Sequence, residues 1–319
     1  MTSKEIYDLA IKMGIKTDLR GEKAVKKYLD RTKKKYEKLH GEAKKLFDKE
    51  RLDNPYSDSR FVFDSKKKKE VKKVMVGIDL SEEMIIGKEM GVDLFLNHHP
   101  VGRALASLDE VMHLQAEVLA DYGVPINIAE QVIKPRISEV GRSVISGNYN
   151  RSVDMARMLE IDLMCLHTVC DNQAAKFIKE LIEKKKPEYV EELIDVMMEI
   201  PEYKEAALDK AGPRVFAGSP DNRCGKIAVT EFTGGTSGSK EMFAKMANAG
   251  IGTIIGMHIG EEHRKEAEAN HINVVIAGHM SSDSLGLNLF CDELEKKGIE
   301  IIPCSSFIRV SRNKTPQSN

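Results

Sequence analysis

The sequence predicts an α/β fold: two similar strand–helix halves around one cleft, with an amino-terminal helical extension and a helical insertion. Three observations carry that reading. From Val71 onward, short apolar runs alternate with helical patterns, the texture of strands joined by crossover helices. Four of those runs end in histidine: GVDLFLNHHP (91–100), EIDLMCLHTVCD (160–171), GIGTIIGMH (250–258) and HINVVIAGHMSSD (271–283). His99, His258 and His279 each lie eight residues after the first residue of their segment, and His167 lies seven after, so the four read as units of one architecture in two related halves. Third, charge is segregated. Residues 1–73 carry 23 Lys+Arg against 13 Asp+Glu, and the remainder carries 26 against 37, so a basic module precedes an acidic body.

The elements follow in order. Thr2-x-x-Glu5 is a capping box, and Ile6, Leu9, Ala10 and Met13 then share a helical face. A lysine-rich helix over 22–39 turns Val25, Tyr28, Leu29 and Tyr36 inward, and Asn54-Pro55 breaks the pattern. Residues 66–69, four lysines, read as a solvated linker. A strand over 71–80 is followed by a helix that starts at Ser81-Glu82-Glu83 and stops at Gly91. Another helix covers 107–122. An acidic helical stretch over 173–212 is punctuated by Pro187, Pro201 and Pro213. The resulting division is 1–65 extension, 70–172 first half, 173–223 insertion, 224–312 second half and 313–319 loose tail.

Composition excludes several classes. Apolar residues make up 41% of the 319 and charged residues 31%, which suits a protein with a buried core and a solvated surface. No apolar run approaches the roughly 20 residues that span a bilayer. The start, MTSKEIYDLAIKMG, lacks an apolar signal core, so the expected location is the cytoplasm, with no membrane partner. Five cysteines without CxxC spacing argue against a disulfide framework or a thiolate zinc site and read as small buried hydrophobes. Aromatics are only 6% and Trp is absent, so stacking platforms for nucleic acid are scarce. The basic amino-terminal helices are read as a solvated face rather than a nucleic-acid surface.

The chemistry sits at the strand ends, where open α/β sheets bind ligands. Asn97-His98-His99-Pro100 places two imidazoles in tandem after an apolar strand. His279-x₃-Asp283 and His167-x₃-Asp171 repeat one interval after two other strands. Imidazole suits borderline divalent metals, and carboxylates can bridge two ions. His167 is placed either to ligate or to orient a ligand and shuttle protons. His113, His263 and His271 read as hydrogen-bonded structural residues and His40 as exposed; His258 shares the spacing of His99 and stays open. Asp79 either serves the cleft or begins the turn to Ser81. Gly234, Gly235, Thr236, Ser237 and Gly238 form a glycine-rich turn between a strand and a helix expected to begin near Ser239. Its backbone N–H groups are a candidate phosphate cradle, with a ligand-free tight turn as the alternative.

NHHP, HTVCDN and GHMSSD, with the GGTSG turn between the last two, resemble the dinuclear-metal-centre proteins of the NGG-interacting-factor-three type. Many of these are named as homologues of type 2 GTP cyclohydrolase I. The resemblance covers roughly residues 70–310 and leaves the basic helices and the 173–212 stretch outside the common pattern. It implies two similar halves facing a two-metal cleft, assembled as a homo-hexamer. It makes His98 and His99 ligands of two divalent ions (Zn, Fe, Mn, Ni or Co), Asp171 and Asp283 ligands or bridges, and His279 the remaining imidazole. The final carboxylate is usually glutamate in the family, and Asp283 is one methylene shorter. The implied activity is metal-dependent hydrolysis of a phosphorylated or nucleotide-like small molecule. The alternative is a non-catalytic protein that binds or delivers metal or docks partners.

Overall fold

The computed structural model of the chain describes residues 1–67 and 70–313. The first helix, Ser3–Thr17, is closed by the expected box: the Thr2 hydroxyl accepts from the Glu5 N–H, and the Glu5 carboxylate accepts from the Thr2 N–H at 2.8 Å. Its buried face is Ile6, Tyr7, Ala10 and Ile11, with Leu9 and Met13 at the margin. This helix packs on the Thr168–Lys185 helix so closely that a Cβ on Gly14 would lie 2.8 Å from Val169. In contrast, the Glu22–Glu37 helix buries only Val25 and Thr32 and leaves its lysines in solvent.

Among the described residues the strands form two sheets. The first has the order β1-β4-β3-β2-β9: β1 (Ser59–Phe63), β4 (Asp162–Leu166), β3 (Leu94–Asn97), β2 (Lys73–Gly77) and β9 (Glu300–Pro303). The second has the order β5-β8-β7-β6: β5 (Arg214–Ala217), β8 (Asn273–Ile276), β7 (Ile251–Gly256) and β6 (Lys226–Glu231). Each sheet has an antiparallel edge strand, β1 or β5, beside parallel strands. The fold is therefore α/β in two similar halves. β1 falls within the segment expected to be helical extension, and β5 within the expected insertion. Both stretches are short and sit on a sheet edge, so they carry little strand signal of their own. β9 returns from the carboxyl end to pair with β2, so the second half also completes the first sheet.

Two helices, Thr168–Lys185 and His279–Glu295, lie between the sheets. Val169, Cys170, Leu287 and Phe290 join the core of the first sheet, and Ala174, Ile178 and Leu285 join that of the second. The expected 107–122 helix is interrupted at Met112, dividing into Leu108–Val111 and His113–Asp121. A long helix, Ile126–Val144, buries Ala129, Ile133, Ile137 and Val140 at helical spacing despite Pro135 in its interior. All five cysteines are free, four of them buried. The carboxyl end is tied down by Arg309 on Asp292 and by Arg312 on buried Glu202. Asn313 donates to the Asp292 carbonyl, and the rest of the expected loose tail, like Lys68 and Lys69 of the linker, lies outside the described residues. Among the described residues no helix is long and apolar enough to cross a membrane.

The two central helices touch through Gly286, where an added Cβ would meet the Cys170 carbonyl at 2.4 Å. Backbone cannot yield cheaply at such a contact. Gly286→Ala is therefore expected to destabilise the protein by about 1–3 kcal/mol, read by urea denaturation. An unchanged midpoint would mean that the helix pair is loosely packed.

Candidate metal centre

The tandem histidines are fixed by backbone bonds just beyond β3. The His98 N–H donates to the Gly77 carbonyl at 2.9 Å and the His99 N–H to the Ile78 carbonyl at 3.0 Å. Asn97 clamps the turn by donating to the His99 carbonyl at 2.7 Å and accepting from the Leu80 N–H. His98 is fully buried and His99 reaches the cleft. His167 ends β4 at the start of its helix, and Asp171 follows one turn later on the same face. His279 opens the other central helix, with Asp283 one turn on. Both carboxylates thus sit at helix amino ends, where the backbone dipole favours negative charge.

These side chains converge. His98 Nε2 lies 3.3 Å from Asp171 Oδ1 and 3.3 Å from Asp283 Oδ1. The other oxygen, Asp283 Oδ2, lies 3.3 Å from His99 Nε2 and 3.6 Å from His279 Nε2. His167 Nε2 is 3.8 Å from Asp171 Oδ2. Three overlapping groups, His98–Asp171–Asp283, His99–His279–Asp283 and His98–His99–His167, each bring their donor atoms within 4.8 Å of one another. Such spacing matches donors arranged around an ion better than donors bonded to one another. His98 Nδ1 and Nε2, Asp171 Oδ1 and both Asp283 oxygens are buried without a hydrogen-bond partner. Buried polar atoms are rarely left so, and five in one cluster are a strong mark of a cation site. The nitrogen and oxygen donor set fits a divalent first-row ion.

The electrostatics agree. Burial alone would push the His98 and His99 imidazoles down, but the Asp283 charge dominates at His98, and the approach to Asp283 with the bond to Asp79 pushes His99 up to about 9. His279 has less compensation, and burial pushes it down to about 4. Asp283, although buried, is held far below the usual carboxylate range by His98. The buried Asp283 thus favours positive charge on the imidazoles beside it.

Two carboxylates behind the histidines complete the arrangement. Asp79 accepts from His99 Nδ1 at 2.9 Å, so it serves the cleft. Asp58, fully buried, accepts from His167 Nδ1 at 2.8 Å and from the Thr168 hydroxyl at 2.6 Å. Each bond fixes the ring tautomer and aims Nε2 into the cluster. Asp58 has no local signature in the sequence. It reaches His167 because β1 pairs with β4 in the register Ser59↔Leu166.

The remaining sequence candidates fall outside the cluster. His258 is exposed, with its ring centroid 4.8 Å from that of His279 and Nδ1 3.2 Å from the Ser237 hydroxyl. His263 bonds the Gly238 carbonyl at 2.9 Å. Gly234 and Gly235 adopt φ of 90° and 92°, and Gln115 donates to the carbonyls of Gly234 and Thr236. The helix after this turn is Met242–Asn248, beginning later than Ser239 because the intervening residues complete the turn. Gly235, Thr236 and Ser237 line a small cleft of about 30 Å³ together with His167, Asp171 and His279.

A solved structure matches this fold along nearly its whole length. A NIF3 superfamily protein from Sphaerobacter thermophilus is 24% identical, covers 96% of this chain and 98% of its own, and superposes with a TM-score of 0.75. The chain has the NIF3-superfamily fold. Coverage of 96% takes in most of the amino-terminal and central segments, so the NIF3-like fold reaches well beyond 70–310. Reduced HcgD from Methanocaldococcus jannaschii is 20% identical over 74% of this chain and 84% of its own, with a TM-score of 0.46. No family model matches the chain, and no curated protein matches it.

Asp58→Ala and Asp79→Ala should each weaken divalent-metal affinity by about 10–100-fold while leaving the fold intact, measured by competition with a chromogenic chelator. Unchanged affinity in both would show that the histidines need no orienting partner.

Proposed function

We propose that the chain holds two divalent ions in this cluster and hydrolyses a phosphorylated or nucleotide-like small molecule. The observation that carries the reading is the set of orphaned donors on His98, Asp171 and Asp283. His98 and Asp171 would hold one ion and His99 and His279 the other, with Asp283 shared between them, a role its 3.3 Å approaches to both His98 and His99 support despite its shorter side chain. Bound there, two such ions would activate a water and offset the charge that develops on the attacked phosphoryl group. Asp58 orients His167, whose Nε2 is placed to exchange a proton with the cleft. The GGTSG turn lies across from the cluster, where its backbone can receive a phosphate.

Access favours an enzyme over a storage protein. His279 keeps 37% of its side-chain surface exposed, so the edge of the cluster is reachable from solvent. The resemblance extends the proposal to a cytoplasmic homo-hexamer.

Hydrolysis of a phosphoester panel tests the reading. Activity should vanish on stripping the protein with chelator, return with manganese, zinc or iron, and stay undetectable in Asp283→Ala. Full metal occupancy without turnover of any ester would instead support a metal-binding or delivery role.

A further inference from the structure

A second cavity, of about 330 Å³, borders His279. It is lined by Lys210, Arg214 and Phe216 together with His258 and His279. His258 lines this cavity and the cleft alike, so the two adjoin along the edge of the cluster.

Its features are unusual for a surface hollow. Neither Lys210 nor Arg214 has an ion-pair partner among the described residues, although residues 74–319 carry 37 acidic against 26 basic side chains. Two uncompensated cations in an acidic body create a local field that attracts anions. Phe216 is 45% exposed and sits where the β5–β8 register slips, between the pairs Val215↔Val275 and Ala217↔Val274. Such a bulge re-aims a side chain, here toward the cavity. The cationic loop is also braced against the cluster. A Cβ on Gly278, immediately before His279, would lie 2.5 Å from the Ala211 carbonyl, and the Arg214 guanidinium donates to the Lys210 carbonyl. The loop and His279 therefore keep a fixed relation.

We propose that this cavity, which rests on the hydrolase reading for its neighbour, is the recognition subsite for the substrate. Lys210 and Arg214 take an anionic group and Phe216 takes a flat ring. The ligand class is a phosphorylated planar heterocycle of nucleoside-monophosphate size.

Equilibrium binding to the metal-loaded protein tests it, with AMP and GMP, the corresponding nucleosides, and ribose 5-phosphate as probes. The monophosphates should bind tightest, and more weakly as salt is raised. Arg214→Glu should weaken them about tenfold and leave the nucleosides unchanged. Phe216→Ala should weaken monophosphates and nucleosides about tenfold and spare ribose 5-phosphate. Metal content should be the same in both variants. No binding of any probe, or equal affinities in wild type and both variants, overturns the subsite. Because neither readout needs turnover, the two readings fail separately. Binding with these dependences but no hydrolysis retires the enzyme and keeps the site, whereas hydrolysis of other esters with no monophosphate binding retires the site alone.

Discussion

Asp171 and Asp283 face each other across His98 in the interior, 4% and 1% exposed, each near the amino end of a helix sandwiched between the two sheets. Burying two carboxylates this close costs several kcal/mol unless positive charge is supplied. The surroundings are arranged to supply it: three more imidazoles turn their Nε2 atoms inward, and two of the rings are anchored on their far side by Asp58 and Asp79. The helix dipoles help, but they do not satisfy the orphaned oxygens. A divalent cation would resolve the conflict, and the two helices that carry the carboxylates meet closely at Gly286.

The two halves share an architecture but contribute unequally. His167-x₃-Asp171 and His279-x₃-Asp283 are matching devices after β4 and β8. His99 and His258 match as well, each two residues past a parallel strand pair, Gly77↔Asn97 and Glu231↔Gly256. Yet only His99 joins a donor group. Asp79, two residues past Gly77, anchors His99, whereas the residue two past Glu231 is Thr233, whose hydroxyl donates to Asn172 instead. Bonded to the Ser237 hydroxyl rather than to a carboxylate, His258 stands between the donor cluster and the cavity at Arg214. One half thus holds the tandem histidines, and the other leaves room for a ligand.

The α/β halves were legible because parallel strands buried on both faces write continuous apolar runs, and a histidine ended four of them. The convergence of His98, His99, Asp171, His279 and Asp283 was legible because each pair sits at a strand-to-helix junction with a fixed interval. Asp58 was not, because its partner is 109 residues away and only the antiparallel pairing of β1 brings the two together. The 126–144 helix was hidden by Pro135, a local signal that its four buried apolar residues override. Phe216 and Arg214 were hidden in a four-residue edge strand whose role comes from its neighbours. Local pattern specified the junctions, and long-range packing supplied the residues that support them.

The count of bound ions tests the central claim most directly. The untagged protein, purified without chelator, would be analysed by mass spectrometry for metals beside Asp171→Ala, with circular dichroism as the check that the variant is folded. The account predicts about two divalent ions per chain in the wild type and a loss of metal in the folded variant. A wild-type protein that retains no metal, even after reconstitution with manganese, iron or zinc, would contradict it and leave the converging histidines and carboxylates as a purely structural network.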